Sequence, residues 1–594
     1  MNQIKMRYGL GILFFSCFIN FDLGNKANAV EDINLQVGIV QRFGDEPIDE
    51  KDEIVSEMEI ISPQGDMLTI SSLEDVPSQT ITTDKVILKT EEKPLSKPVL
   101  SERLVLGSHA TFETAENDAN FWRNLGIEVE IVQPGRWQVW AKRATYNNPV
   151  VRRRLLDILK ERNYTVPYLD SEVLETLPQV TLSIDGKNYY DNEFEITTNS
   201  DRVLVNTVSN KQEASHLYGG SLRLQPNAYH NFSLVNDVPL ETYLRGVVPY
   251  EIGANAPQEA IAAQTIIART YALRNLRRFV TDDYQLCATV HCQVYKGISG
   301  ATPRTDKAIA NTSGLVLTYN NELVDALYSS TTGGVTASFS DVWEGDERPY
   351  LKPIIDAPEP LWDLSNYPLA NEKALRSFLD RQQGFNETGL KVFRWQKERK
   401  IEDLNQDLRK YLTKINHPLV EFTTIKSMEV VERSQSGRIL TLLVDTDLGY
   451  VKLHKNEVRS AFEPPVSTLF YLDPIYDSSD RLNAYLFTGG GFGHGVGLSQ
   501  NGSYNLARLG WTAADILAFY YPETTIKPLD NTIVFWEKEP TLQRNPEENQ
   551  NLIDEPSVRD REENNQTSVS IFNVFQKAVE TTTIALSRIK NLIK

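Results

Sequence analysis

Glu251 is the carboxyl group whose setting best suits proton transfer. It ends the run Val247-Val248-Pro249-Tyr250-Glu251, after an apolar stretch and just before a segment with helical spacing. Apolar and aromatic neighbours exclude water, which disfavours the anion and raises a carboxyl pKa. Such a group is a general acid at neutral pH. The N-terminus of the following helix pushes the other way, because it favours the charged form. A surface glutamate assisting that helix start is the plain alternative. Glu241 and Glu259 are competing carboxylates, both in contexts better suited to a helix surface.

Three further groups carry usable chemistry. Tyr328-Ser329-Ser330-Thr331-Thr332-Gly333-Gly334 reads as a strand ending in hydroxyls and glycines. Hydroxyls bond sugars, a tyrosine ring can stack on a sugar face, and glycine lets backbone approach a ligand. Tyr328, Ser329, Thr332 and Gly334 are therefore candidate ligand contacts, with an ordinary strand-to-turn junction as the alternative. His494 sits in Gly493-His494-Gly495-Val496-Gly497, followed by Ser499 and Gln500. This is no phosphate loop, since no Gly-Lys-Ser/Thr follows. In the glycine-rich setting His494 and Gln500 are expected at the site, the imidazole either orienting Glu251 or binding sugar. Arg269 offers a planar fork of donors suited to carboxylates, and a structural ion pair is its equal alternative. Cys287 and Cys292 are near neighbours, read as a disulfide in an oxidising compartment.

The elements that must position these groups follow from periodicity. Val180–Ile184, Glu193–Ile196, Val203–Val208, Gly220–Leu224 and Asn231–Leu234 are short strand candidates separated by turn residues. A strong helix is expected from Pro257 to Phe279, with Ile261, Thr265, Ala268 and Ala272 on one stripe. Strands follow at Leu315–Tyr319, Leu323–Ser329, Met428–Glu432, Ile439–Thr446 and Tyr450–His454, and two short helices at Ser499–Arg508 and Thr512–Phe519. Upstream, Gly126–Lys142 reads as a hairpin around a Pro-Gly turn and Val150–Arg162 as a helix. The expected fold class is α+β: a mostly β core with one long central helix.

Four segments, Asp237–Leu273, Cys287–Gly297, Tyr328–Ser338 and Gly489–Ala507, resemble the SpoIID/LytB family in that family's order. The resemblance covers roughly residues 177–526. It implies that Glu251 is the catalytic acid/base of a lytic transglycosylase, cleaving between N-acetylmuramic acid and N-acetylglucosamine. One carboxyl suffices there, because the muramic acid 6-hydroxyl attacks its own anomeric carbon and leaves a 1,6-anhydro end; an ordinary glycosidase needs two carboxylates. It strengthens the substrate-binding reading of Tyr328, Ser329, Thr332 and Gly334, beside which Arg269, His494 and Gln500 are expected. Some relatives are described as amidase enhancers, which stimulate a separate peptidoglycan amidase, and that is the rival reading. Some are thought to hold zinc near Cys287, His291 and Cys292, but Cys-x-x-x-His-Cys is cramped for one tetrahedral ion; the disulfide is preferred and no cofactor is expected.

The chain has 594 residues, enough for two or more structural units, and a formal net charge of −19. That balance argues against nucleic acid, which needs clustered cations. Lys5 and Arg7, the apolar run Leu10–Ile19 and Ala27-Asn28-Ala29 have the grammar of a secretory signal. Export to the periplasm or cell envelope is expected, with peptidoglycan glycan strands and a cell-wall amidase as partners. The expected division is a signal peptide over 1–29, an accessory α+β region over 30–176 and the catalytic domain over 177–535 with an insertion at about 357–420. A disordered acidic linker over 536–570 and an amphipathic helix over 571–594, suited to a membrane surface or a partner, follow.

Overall fold

In strand β1, Asn34–Phe43, the side chains of Leu35, Val37, Val40 and Phe43 are buried. Burying an aliphatic or aromatic side chain of this size is worth about 1.5–3 kcal/mol, so this face fixes the strand against the core. The computed structural model describes residues 33–45, 54–73, 79–210, 212–415 and 417–533. The expectations for the signal, the acidic linker and the terminal helix lie outside them. Among the described residues no helix is long and apolar enough to cross a membrane.

The protein is mixed α+β and rich in strands. Strands β2 (Lys85–His109) and β3 (Tyr168–Ile184) pair antiparallel from Ile87 opposite Ser183 to Val105 opposite Tyr168. Strand β4, Phe232–Pro239, pairs antiparallel with β1, from Asn34 opposite Pro239 to Phe43 opposite Phe232. All belong to one 15-stranded sheet. The expected boundary at 176 therefore falls inside β3, and strands from both sides of it share hydrogen bonds. The hairpin is present at Val129–Val132 and Trp137–Ala141, and the helix after it at Pro149–Glu161.

Three helices set the site. Helix α1, Leu240–Val248, follows β4 directly; α2 is Gln258–Arg274; α3 is Gln500–Arg508. Helix α2 is buried nearly all round. Ala260, Ile261, Ala268 and Leu273 join the sheet's core, while Ala263, Ile266, Ile267 and Tyr271 join a second core with Leu498, Leu506 and Ile516. The alanines let both layers approach. Pro257 caps this helix instead of entering its first turn. The helix stops five residues short of the expected Phe279, because Arg277 and Arg278 leave to pair with Glu116 and Glu113.

Part of the expected insertion, 357–420, packs with residues that follow it. Trp395, Leu404, Leu408 and Leu412 share one core with Ile439, Leu442, Phe470 and Phe487. Its strand Arg394–Lys400 pairs with Leu482–Gly490, which runs straight into the glycine-rich loop.

Candidate functional site

Glu251 lies in a single wide turn, Pro249–Gly253, wedged between α1 and α2. Pro249 follows the last residue of α1, and Gly253 closes the turn at a φ of +82°. The carboxyl group is half-buried. The backbone N–H of Val294 donates to Glu251 Oε1 at 2.6 Å. Gln500 Nε2 donates to the Glu251 carbonyl at 2.9 Å and reaches Oε2 at 3.4 Å. The Tyr328 hydroxyl also bonds the carboxyl. Gln293 Nε2 donates to that hydroxyl at 3.2 Å, and Tyr243 donates to Gln293 Oε1 at 3.2 Å. The chain Tyr243–Gln293–Tyr328–Glu251 thus leaves the phenolic proton directed at the carboxyl.

Two opposed effects set the acidity of Glu251. Burial pushes its pKa up, and the bonds from Val294, Tyr328 and Gln500 pull it down; burial is the larger. The net pKa is above the ordinary carboxyl value, so the group holds a proton to higher pH while keeping partners for its anion. A carboxyl so placed can give a proton and take one back.

Tyr328 and Gln500 arrive together through a short parallel pairing. Strand β5, Tyr328–Ser329, lies beside β6, Leu498–Ser499, with Tyr328 opposite Leu498 and Ser329 opposite Ser499. Gln500 is the next residue and opens α3. Gly497, at φ +72°, permits the approach, since a Cβ there would stand 2.0 Å from the Leu327 carbonyl.

The remaining expected residues divide. His494 accepts from the Val496 N–H through Nδ1 at 3.0 Å, bonds the Tyr328 backbone, and packs on Trp343 with ring centroids 5.1 Å apart. Burial, with Arg459 and Arg438 nearby, holds its pKa far below the usual value, so it is neutral. It fastens the glycine loop to β5; both ring partners are backbone. Arg269, read as either a substrate contact or a structural ion pair, is placed as a buried strut. It is 0 % exposed, pairs with Glu241 at 2.7 Å and 2.8 Å, and donates to the Leu315 carbonyl. Thr332 and Gly334 also face buried partners. The Thr332 hydroxyl meets the buried carboxyls of Asp356 and Glu387, and Gly334 packs under Phe385. The Ser329 hydroxyl is buried and has no hydrogen-bond partner among the described residues.

Cys287 and Cys292 form a disulfide with Cα atoms 5.6 Å apart. It closes the loop immediately before Gln293 and Val294, the two residues that touch Tyr328 and Glu251. Among the described residues no group of three or more His, Cys, Asp or Glu is placed to hold a metal ion. Sequence reasoning missed Gln293 and Val294. Val294 acts through its backbone, which any residue supplies, so only its place two residues after Cys292 could have pointed to it. Phe492 stands 46 % exposed in the glycine loop, its backbone bonded to Thr331. A cavity of about 520 Å³ lined by Arg274, Arg277, Tyr319 and Arg348 lies at the C-terminal end of α2, and Glu251 is not among its lining residues.

Comparison with known proteins gives two family matches. Residues 228–319 match the family described as stage II sporulation protein (SpoIID), and residues 337–497 match a domain of unknown function (DUF8618). The amidase enhancer of Bacillus subtilis (strain 168) is 29% identical over 396 residues, 58% of this chain and 52% of that protein. The chain thus spans about half the length of that relative. The stage II sporulation protein D of the same organism is 26% identical over 57% of this chain and 89% of its own length. An uncharacterized protein of Brachyspira hyodysenteriae is 24% identical over 63% and 92%.

Proposed function

Because the chain belongs to the SpoIID family, we propose that it remodels the bacterial cell wall as a peptidoglycan lytic transglycosylase with Glu251 as its acid/base. The observation that carries this reading is the half-buried Glu251 carboxyl, raised in pKa and bonded by Tyr328, Gln500 and Val294. Glu251 protonates the glycosidic oxygen between N-acetylmuramic acid and N-acetylglucosamine. The resulting carboxylate then takes the proton of the muramic acid 6-hydroxyl as that oxygen attacks the anomeric carbon. The glycosidic bond breaks, the 1,6-anhydro bond forms, and Glu251 ends protonated as it began. The partners of its anion are in place for the moment the charge appears, which is when they lower the barrier. Export and action in the cell envelope belong to the same proposal.

The test is purified protein on intact peptidoglycan. Wild type releases anhydro-muropeptides and Glu251→Gln releases none; undiminished release by Glu251→Gln removes this residue from the mechanism. The named similarity to an amidase enhancer favours a second reading, in which the protein binds glycan and stimulates a separate amidase. The two readings separate with a purified amidase added. Stimulated stem-peptide release, without glycan cleavage by the protein alone, supports the enhancer.

A further inference from the structure

The segment matched as a domain of unknown function contributes a buried carboxyl pair to the back of this site. Asp356 and Glu387 are both 0 % exposed. Glu387 Oε1 accepts from the Thr332 N–H at 2.5 Å and the Ser499 hydroxyl at 2.6 Å and lies 3.0 Å from the Thr332 hydroxyl oxygen, and Oε2 accepts from the Gly333 N–H at 2.9 Å. Asp356 accepts from the Thr332 hydroxyl, Tyr520 and the Asn386 amide, each at 2.8 Å. The amide of Asn505 in α3 donates to Asn386 at 2.9 Å. One short loop, Asn386-Glu387, therefore grips both the start and the second turn of α3.

The consequence runs forward to Glu251. Ser499 gives its proton to Glu387 and turns its lone pairs to the Gly502 N–H, capping α3 at 2.9 Å. Gln500, the next residue, holds Glu251 from the other side. Ser329, opposite Ser499, follows Tyr328, the second partner of that carboxyl. We infer that Glu387, with Asp356, is a positioning residue: the segment 337–497 serves to hold Tyr328 and Gln500 around Glu251. The functional part of this inference rests on Glu251 being the working carboxyl. The pair is a coherent clamp because one proton shared between two adjacent buried carboxyls avoids two neighbouring anions. Burial and Asp356 push Glu387 up to about 8. Arg394, Arg438 and Tyr520 are the other ionisable groups facing it.

The experiment compares full-length wild type, Glu387→Gln, Ser499→Ala and Leu408→Ala, the last weakening a core cluster of the same segment that holds none of the clamp residues. Two readouts are taken: backbone hydrogen exchange resolved by peptide, and kcat and KM for glycan cleavage. In Glu387→Gln, exchange rises about tenfold in residues 328–334 and 498–504 but not in α2, and kcat falls about tenfold with KM within about twofold. Ser499→Ala keeps the carboxyl pair but also loses the α3 cap, so if Glu387→Gln does not fold it decides the matter through residues 328–334 alone, where exchange rises about tenfold. Unchanged exchange in both segments overturns the inference. So does a uniform rise across the chain like that of Leu408→Ala, because it marks a purely structural role. Wild type that cleaves no glycan ends the transglycosylase reading, while the exchange pattern still decides whether Glu387 positions the site.

Discussion

Replacing Tyr328 with phenylalanine removes one hydroxyl and little volume, so it isolates a single bond at the proposed acid. Tyr328 donates to Glu251, a bond that favours the carboxylate. A hydrogen bond to a charged group is worth about 1.5–3 kcal/mol, and one pKa unit is about 1.4 kcal/mol. Losing this donor leaves burial less opposed, so the Glu251 pKa moves further up. The sign follows from the acid's role. Glu251 must carry its proton to start the reaction, so activity falls as pH rises through its pKa. In Tyr328→Phe that alkaline limb moves to higher pH. The maximal rate meanwhile drops about tenfold, because the carboxylate formed in the transition state has lost a donor. The assay is the initial rate of anhydro-muropeptide release between pH 4 and pH 9 on a fixed peptidoglycan preparation. An alkaline limb that stays in place, or moves to lower pH, refutes the assignment of Tyr328 as a donor to Glu251.

Glu251→Gln should raise the thermal midpoint at neutral pH while abolishing release, since a carboxyl whose pKa is raised by folding destabilises the fold as pH climbs past the ordinary carboxyl range. The same linkage at Glu387 makes wild-type stability decline as pH rises from about 4.5 towards 8, and Glu387→Gln should flatten that slope in denaturant titrations. Reducing the Cys287–Cys292 disulfide, or Cys292→Ser, should cost about 2 kcal/mol by the chain-entropy relation for so short a loop. It should lower cleavage as well, by releasing the Val294 N–H. Arg269→Ala should cost about 3 kcal/mol in chemical denaturation, because a fully buried side chain is lost and the partly exposed Glu241 is left without its partner, and should leave the identity of the products unchanged.

The legible parts of the site were those written in contiguous residues. Glu251 reads from its apolar run before a helix, and Tyr328 and Gln500 read from hydroxyl-rich and glycine-rich segments that the fold places side by side. Arg269 and Thr332 carry the same local signals, yet their partners are Glu241, 28 residues away, and Glu387, 55 residues away. Side-chain type cannot distinguish a donor aimed at a ligand from one aimed at a buried carboxylate. The sheet hid its extent for a related reason. Each strand shows its own alternation, but the register of β1 with β4 joins positions about 200 residues apart, so an accessory region and a core read as separate. The helix Phe112–Asn124 was not anticipated; its buried positions, Phe112, Ala115, Ala119 and Trp122, are spread among polar residues.

The most direct measurement uses glycan strands stripped of stem peptides, on which an amidase has nothing to cut. Mass analysis of the products made by purified protein should show fragments ending in 1,6-anhydro-N-acetylmuramic acid, absent when Glu251→Gln is substituted. Strands left intact, or fragments with ordinary reducing ends, would contradict the account.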